Sequence, residues 1–215
     1  MNIQRVFLMI PPLLLAITVH EVAHGYIAYR KGDFTAKLMG RLTLNPVKHI
    51  DPIGTILFPL ILAMSGTGMI FGWAKPVPVN SFNFKSPRKD MVLVSLAGPL
   101  SNFLLAMVFA LLLRVLLWVP GVGNSAVMVP LADMLAFGIH ISIILGVFNL
   151  LPIHPLDGSH IMEGLLPAQQ AQAYSRLAPY GWMILIGLMF TGILWKILGP
   201  FYSLVYLFIA TIFGF

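Results

Sequence analysis

LLLAITVHEVAHGYIAYRKGD, residues 13–33, begins as a stretch suited to lipid and then sets two histidines and a glutamate within five positions. Residues four apart on a helix share one face, about 6 Å apart along the axis, so His20 and His24 can grip one metal ion while Glu21 sits beside it. The H-E-x-x-H spacing supplies two neutral nitrogen donors and a carboxylate able to take a proton from water next to the metal. Ionisable side chains inside a lipid-spanning helix are costly and mark functional sites by default.

Composition supports the lipid reading. The chain is 59% hydrophobic and only 9% charged, with a mean hydropathy of +0.91, whereas soluble domains carry about 25% charged residues. It is therefore read as an integral, multi-pass, all-α membrane protein. Its 215 residues accommodate five to six membrane helices and no further soluble domain. One unit over 1–215 is expected, with a catalytic core at about 6–165 and C-terminal helices at about 179–215. The absence of cysteine rules out disulfides, thiolate zinc sites and a thiol nucleophile. A net charge of +6 in so apolar a chain points to loops beside anionic lipid, not to nucleic acid. Arg5 before an apolar run mimics a signal peptide, but the run continues through the histidines without an evident cleavage site.

Apolar runs lie at about 6–29, 52–71, 91–118, 130–151, 179–197 and 200–215, the last two separated by Gly199-Pro200, a helix stop. Arg30, Lys31, Lys37, Arg41 and Lys48 fill one loop, Lys75, Lys85, Arg88 and Lys89 another, and residues 120–130 carry no basic residue. Both basic loops favour the cytoplasmic side. A full crossing at 52–71 would separate them, so the chain is expected to enter and return on one side, through a helix and then an extended or β segment around residues 66–80. Gly66, Gly68 and Gly72 permit the turn, and Pro76 and Pro78 forbid helix. From there run three goes outward, four returns, five goes out and six comes back. A plain crossing at 52–71 is the alternative.

A catalytic zinc site takes three protein ligands. Asp133 starts the fourth run at its far end. His140 lies nine residues, about 900° of helix rotation, before Asn149 and is read as a packing histidine. Asp33, Asp51 and Asp90 sit in basic loops as caps or charge partners. NLLPIHPLDGSHIMEG remains, with His154, Asp157, His160 and Glu163. Asp157-Gly158 forms a turn that aims a carboxylate back into the membrane, with His160 as the alternative ligand, while His154 and Glu163 are read as exposed. Asn149 is placed to donate to an oxyanion or to hold Asp157, or else to bond between helices. Asn102 is read mainly as scaffold beside Gly98 and Pro99, with an oxyanion or supporting role as the other option. Trp73, Ala74, Lys75, Pro76, Val77, Pro78 and Val79 carry alternate prolines, compatible with an edge strand that pairs with an extended substrate or with a rigid wall beside the site.

Three stretches carry a family resemblance: HEVAHGYIAYRKGD at 20–33, AGPLSNF at 97–103 and FNLLPIHPLDG at 148–158. With them the chain resembles the site-2 protease family of intramembrane zinc metalloproteases. GWAKPVPVN at 72–80 and NPVKHIDPIGT at 45–55 resemble its compact group without a PDZ domain. The resemblance covers most of residues 16–165. It implies one zinc ion per chain held by His20, His24 and Asp157, Glu21 as general base, and a transmembrane protein as substrate. It also implies a multi-pass protein of a prokaryotic cytoplasmic membrane with the site towards the cytoplasmic side. His154 and His160 depart from the family pattern. A metal transporter, a catalytically inactive membrane chaperone and a membrane protease with a distant His or Glu ligand are the rivals. Transport would want ligands along a path from both faces, and an inactive homologue would be expected to lose part of the triad.

Overall fold

Four helices are long and apolar enough to cross a bilayer, over Phe7–Arg30, Pro87–Leu117, Met128–Asn149 and Ile193–Phe213. The computed structural model describes residues 3–57, 61, 72–121, 123 and 125–215. In chain order the helices are α1 (Ile3–Arg30), α2 (Thr35–Leu38), α3 (Pro87–Leu117), α4 (Met128–Asn149), α5 (Asp157–Leu165), α6 (Ala168–Ser175), α7 (Gly181–Phe190) and α8 (Ile193–Phe213). No strand occurs among the described residues. The chain is a multi-pass helical membrane protein.

The hub is α3, which packs on α1, α4, α5 and α8. Its start follows from local chemistry. Pro87 stands in the first turn, where its missing N–H costs nothing, and the Asp90 carboxylate accepts the Ser86 N–H at 3.0 Å. Val94, Gly98, Asn102, Ala106 and Phe109 fall three or four apart and are all buried, so one face of the helix is consumed by its neighbours. Glycines on α4 receive aromatic rings from α3: a Cβ on Gly138 would lie 2.8 Å from Phe109 ring atoms, and one on Gly146 would lie 2.5 Å from Phe103. Small residues that admit neighbouring side chains are how helices associate in lipid, where hydrophobicity gives no drive.

Two expectations need correction at the C-terminal end. The stop predicted at Gly199-Pro200 is not one, because α8 runs through Pro200. The reversal is at Gly192, whose φ of 71° is the left-handed conformation that glycine alone adopts freely. The fifth apolar run is thereby reduced to the ten-residue α7, about 15 Å long and too short to span. The sense of the last helix also differs. Arg114, near the end of α3, donates to the Gly214 carbonyl at 3.2 Å, so α8 ends beside the end of α3 and crosses in the same direction.

At the opposite end the basic loops meet. Lys31 pairs with Asp90 at 3.0 Å, joining the end of α1 to the start of α3. Asp33 accepts the Asn80 N–H and the Asn83 amide, each at 2.7 Å, and caps Thr35. Burial would raise the Asp33 pKa, but these bonds hold it below the usual carboxylate range. Asp51 caps the N–H groups of Ile53 and Gly54. The roles read for these three carboxylates as caps or charge partners therefore hold. Trp73 donates to Gly54 O at 3.1 Å, and Thr55 donates to Trp73 O at 2.8 Å. Residues 54–55 and 73 therefore lie side by side. The turn predicted at Gly66 and Gly68 lies outside the described residues.

The Gly138–Phe109 contact gives a test of the α3–α4 packing. Gly138→Ala drives a methyl group into a buried ring and should cost about 1–3 kcal/mol, read as a lower unfolding temperature in detergent. Phe109→Leu in the same chain should restore much of the loss.

Candidate metal centre and active site

His20 and His24 lie on the face of α1 turned to α3, and Gly98 makes room for them. A Cβ at Gly98 would sit 2.4 Å from His24 Nε2 and 2.6 Å from His20 Cε1. The His24 Nδ1 lies 2.7 Å from the Val94 carbonyl, which can only accept, so Nδ1 carries the proton and Nε2 presents its lone pair. His20 Nδ1 is 3.1 Å from the Asn102 amide nitrogen.

The third donor comes from the turn after α4. Leu150–Leu156 reverses the chain, and Asp157 opens α5, where the positive end of a helix favours a carboxylate. Gly158 makes the reversal tight, since a Cβ there would be 2.3 and 2.4 Å from the carbonyl oxygens of Leu150 and Leu151. Asp157 Oδ2 then lies 3.1 Å from His20 Nε2, and Oδ1 lies 3.3 Å from His24 Nε2. The two Nε2 atoms are 3.0 Å apart, with the rings edge to face at 85°.

This geometry fits a metal. One donor atom from each residue lies within 4.8 Å of the other two; the two Nε2 atoms are 3.0 Å apart and each has an Asp157 oxygen at 3.1 or 3.3 Å, close to the roughly 3.3 Å edges of a tetrahedral shell with ligands at about 2.0–2.1 Å. Asp157 Oδ2, although close to His20, is buried without a hydrogen bond, as expected of donors aimed at a shared centre instead of at each other.

Glu21 faces the extended segment. Its Oε2 accepts the Val77 N–H at 2.7 Å. The N–H groups of Trp73, Lys75 and Val77 go in turn to Gly54 O, His49 O and Glu21, the alternation of an extended chain. No strand is formed in the described part of this segment, because these inward groups bond to a loop and a side chain of the chain itself. Ala74, Pro76, Pro78 and Val79 complete the stretch, and Trp73 lies edge-on to Trp182.

The other singled-out residues separate cleanly. Asn149 donates to Leu145 O at 3.0 Å within its own helix, not to Asp157. His140 bonds Tyr202 and stacks on Tyr206, a packing histidine as read. His160 and His154 both address Glu163, at 3.5 and 3.0 Å, so His160 is not brought to the metal donors. His154 was expected to be exposed and is instead buried against Tyr174, because Tyr174 is anchored to Pro152 O and α6 folds back over the loop. Sequence reasoning missed the Val94 carbonyl and the Val77–Glu21 bond. No side-chain signal marks either, since both are backbone groups.

Two further comparisons bear on this geometry. The profile of Peptidase family M50 matches residues 8–127 and 119–192. The chain belongs to peptidase family M50. A Bacillus subtilis protein carrying the provisional name of zinc metalloprotease YwhC is 43% identical over 191 residues, 86% of this chain and 83% of that protein. Another of provisional name, zinc metalloprotease Rip2 of Mycolicibacterium smegmatis, is 33% identical over 204 residues, 94% of this chain and 72% of that one. No solved structure matches. As an M50 member the chain is a metalloprotease of the site-2 protease family, and its His20, His24 and Asp157 form a cluster able to hold zinc.

Gly98→Ala tests the cradle. The added methyl group overlaps both imidazoles, so the purified variant should lose most of its zinc by elemental analysis while still eluting as a folded membrane protein. Full zinc occupancy would mean that the ligands do not lean on α3.

Proposed function

We propose that this M50 protein is an intramembrane zinc metallopeptidase that hydrolyses peptide bonds within or near transmembrane segments of membrane proteins, with one zinc ion per chain. The observation that carries the reading is the convergence of His20, His24 and Asp157 beside Glu21, on helices apolar enough to lie in a bilayer. Zinc held by these three residues would lower the pKa of water towards neutrality and polarise a carbonyl. Glu21 is the general base: one carboxylate oxygen is held by the Val77 N–H, which leaves the other to take a proton from water and pass it to the departing amine.

Residues 73–79 form the wall along which an extended substrate lies. With the N–H groups of 73, 75 and 77 turned inward, the intervening residues turn their backbone outward. Arg41 holds the Pro76 carbonyl; Pro78, which has no N–H to offer, would accept from the substrate through its carbonyl, and Ala74 would supply the matching donor. The basic loops are read as cytoplasmic, which sets the site towards that side. Asn149 is assigned to the oxyanion, reached by a rotation that releases Leu145 O.

Asn102 fixes the orientation of His20. If Nε2 of His20 gives its lone pair to zinc, Nδ1 carries the proton and needs an acceptor. Among the described residues the Asn102 Oδ1 is buried without a partner, and exchanging the amide oxygen and nitrogen, which have nearly the same shape, lets Oδ1 accept the Nδ1 proton. Asn102→Leu should weaken zinc binding about 10–100-fold, with Asn102→Asp weakening it less; equal affinities in a chelator competition would remove this role.

The deciding experiment uses Glu21→Gln and Asp157→Ala. The peptidase reading expects Glu21→Gln to keep zinc while uncut membrane proteins accumulate, and Asp157→Ala to lose zinc and activity together. Metal flux in proteoliposomes that survives Glu21→Gln would establish transport instead, and unchanged membrane-protein processing would favour a chaperone.

A further inference from the structure

Arg41 is a buried cation that the site description leaves without a task. Its residue is only 7% exposed, and among the described residues no carboxylate pairs with it. A guanidinium stays charged at any ordinary pH, so burying one without a counter-ion is costly unless its donors are well used. Here the Nη2 donates to two successive carbonyls, Lys75 O at 2.8 Å and Pro76 O at 3.1 Å. Among the described residues Nε is buried with no partner, so the hydrogen bonds of the side chain are those to these two carbonyls.

The two carbonyls held are those immediately before Val77. The plane of the Pro76–Val77 peptide contains both Pro76 O and Val77 N–H, pointing in opposite senses. Gripping the oxygen therefore sets the direction of the hydrogen that reaches Glu21 Oε2 at 2.7 Å. Lys75 N–H is anchored on His49 O at 2.9 Å, and the Val77 side chain packs against Gly25, one residue past His24, where a Cβ would come within 2.9 Å of it.

We propose that Arg41 is a positioning residue: by clamping the carbonyls of Lys75 and Pro76 it aims the Val77 N–H at Glu21, and so holds the general base and the substrate wall in one register. This inference rests on the peptidase reading above. Arg41 touches neither metal ligand nor reacting atoms, so its loss should lower turnover without releasing zinc.

The test uses the full chain in detergent and, as substrate, a membrane protein found to accumulate uncut with Glu21→Gln. Arg41→Gln should lower kcat about tenfold or more with KM within about twofold, zinc at one per chain and the unfolding temperature little changed. Arg41→Lys, which keeps the charge and a donor, should recover part of the loss. Val77→Pro removes the same N–H directly, so adding Arg41→Gln to it should slow turnover by no more than about twofold beyond Val77→Pro alone. A kcat for Arg41→Gln within about twofold of wild type, or losses that multiply in the double variant, would overturn the proposal. Should Arg41→Gln shed zinc or fail to fold, the cycle with Arg41→Lys decides by the same criterion. Failure of the peptidase reading is separate, since it would show as hydrolysis that survives Glu21→Gln.

Discussion

Two imidazoles and a carboxylate within 3.3 Å of one another in an apolar bundle set the terms for everything around them. Such groups are expensive in low dielectric unless each spare donor and acceptor is used. Several features follow from that one demand. The Val94 carbonyl takes the proton of His24. Gly98 gives up its side chain so that both rings can approach α3. The Leu150–Leu156 reversal, closed by Gly158, brings a carboxylate back to α1 from the far end of α4. The centrality of α3 has the same origin, since it packs on the helix bearing the histidines and on the helix bearing the aspartate as well as on α4 and α8.

A second demand comes from the backbone. Non-helical chain beside a membrane site is tolerated only if protein or water satisfies its polar groups. Residues 73–77 meet it unconventionally, drawing on Gly54 O, His49 O, the Glu21 carboxylate and the Arg41 guanidinium in place of a neighbouring strand. The prolines at 76 and 78 reduce the number of donors to be satisfied. The segment is thus fastened by groups that include the Glu21 carboxylate. Its position and that of Glu21 cannot vary independently.

Legibility in the sequence followed the range of the interaction. The pairing of His20 with His24 was readable because i, i+4 spacing on a helix is local geometry, and the meeting of the two basic loops was readable because their lysines and arginines carry that information. The reversal near the C-terminus was misplaced because Gly199-Pro200 is the stronger local signal, yet a lipid-embedded helix tolerates proline, while the positive φ at Gly192 leaves no mark distinguishing it from the chain's other glycines. His154 was misjudged for a different reason. Its burial depends on Tyr174 and α6, which return over it from twenty residues away, and no local pattern reports such a contact.

The choice between Asp157 and His160 shows where spacing stops being informative. Three residues apart on α5, they lie about 300° around the helix from each other, close to one face, and differ in height by about 4.5 Å. Spacing therefore treats them almost alike. What separates them is the turn before the helix. Gly158 presses α5 against the end of α4 so that the first residue of the helix, not the fourth, is level with His20 and His24. A short carboxylate at a helix start also gains from the peptide dipoles, whereas an imidazole that must stay neutral to bind metal gains nothing there. His160, one turn on, meets Glu163 instead, and the same carboxylate receives His154 from the loop. His154 and His160 thus brace the very turn that delivers the aspartate to His20 and His24.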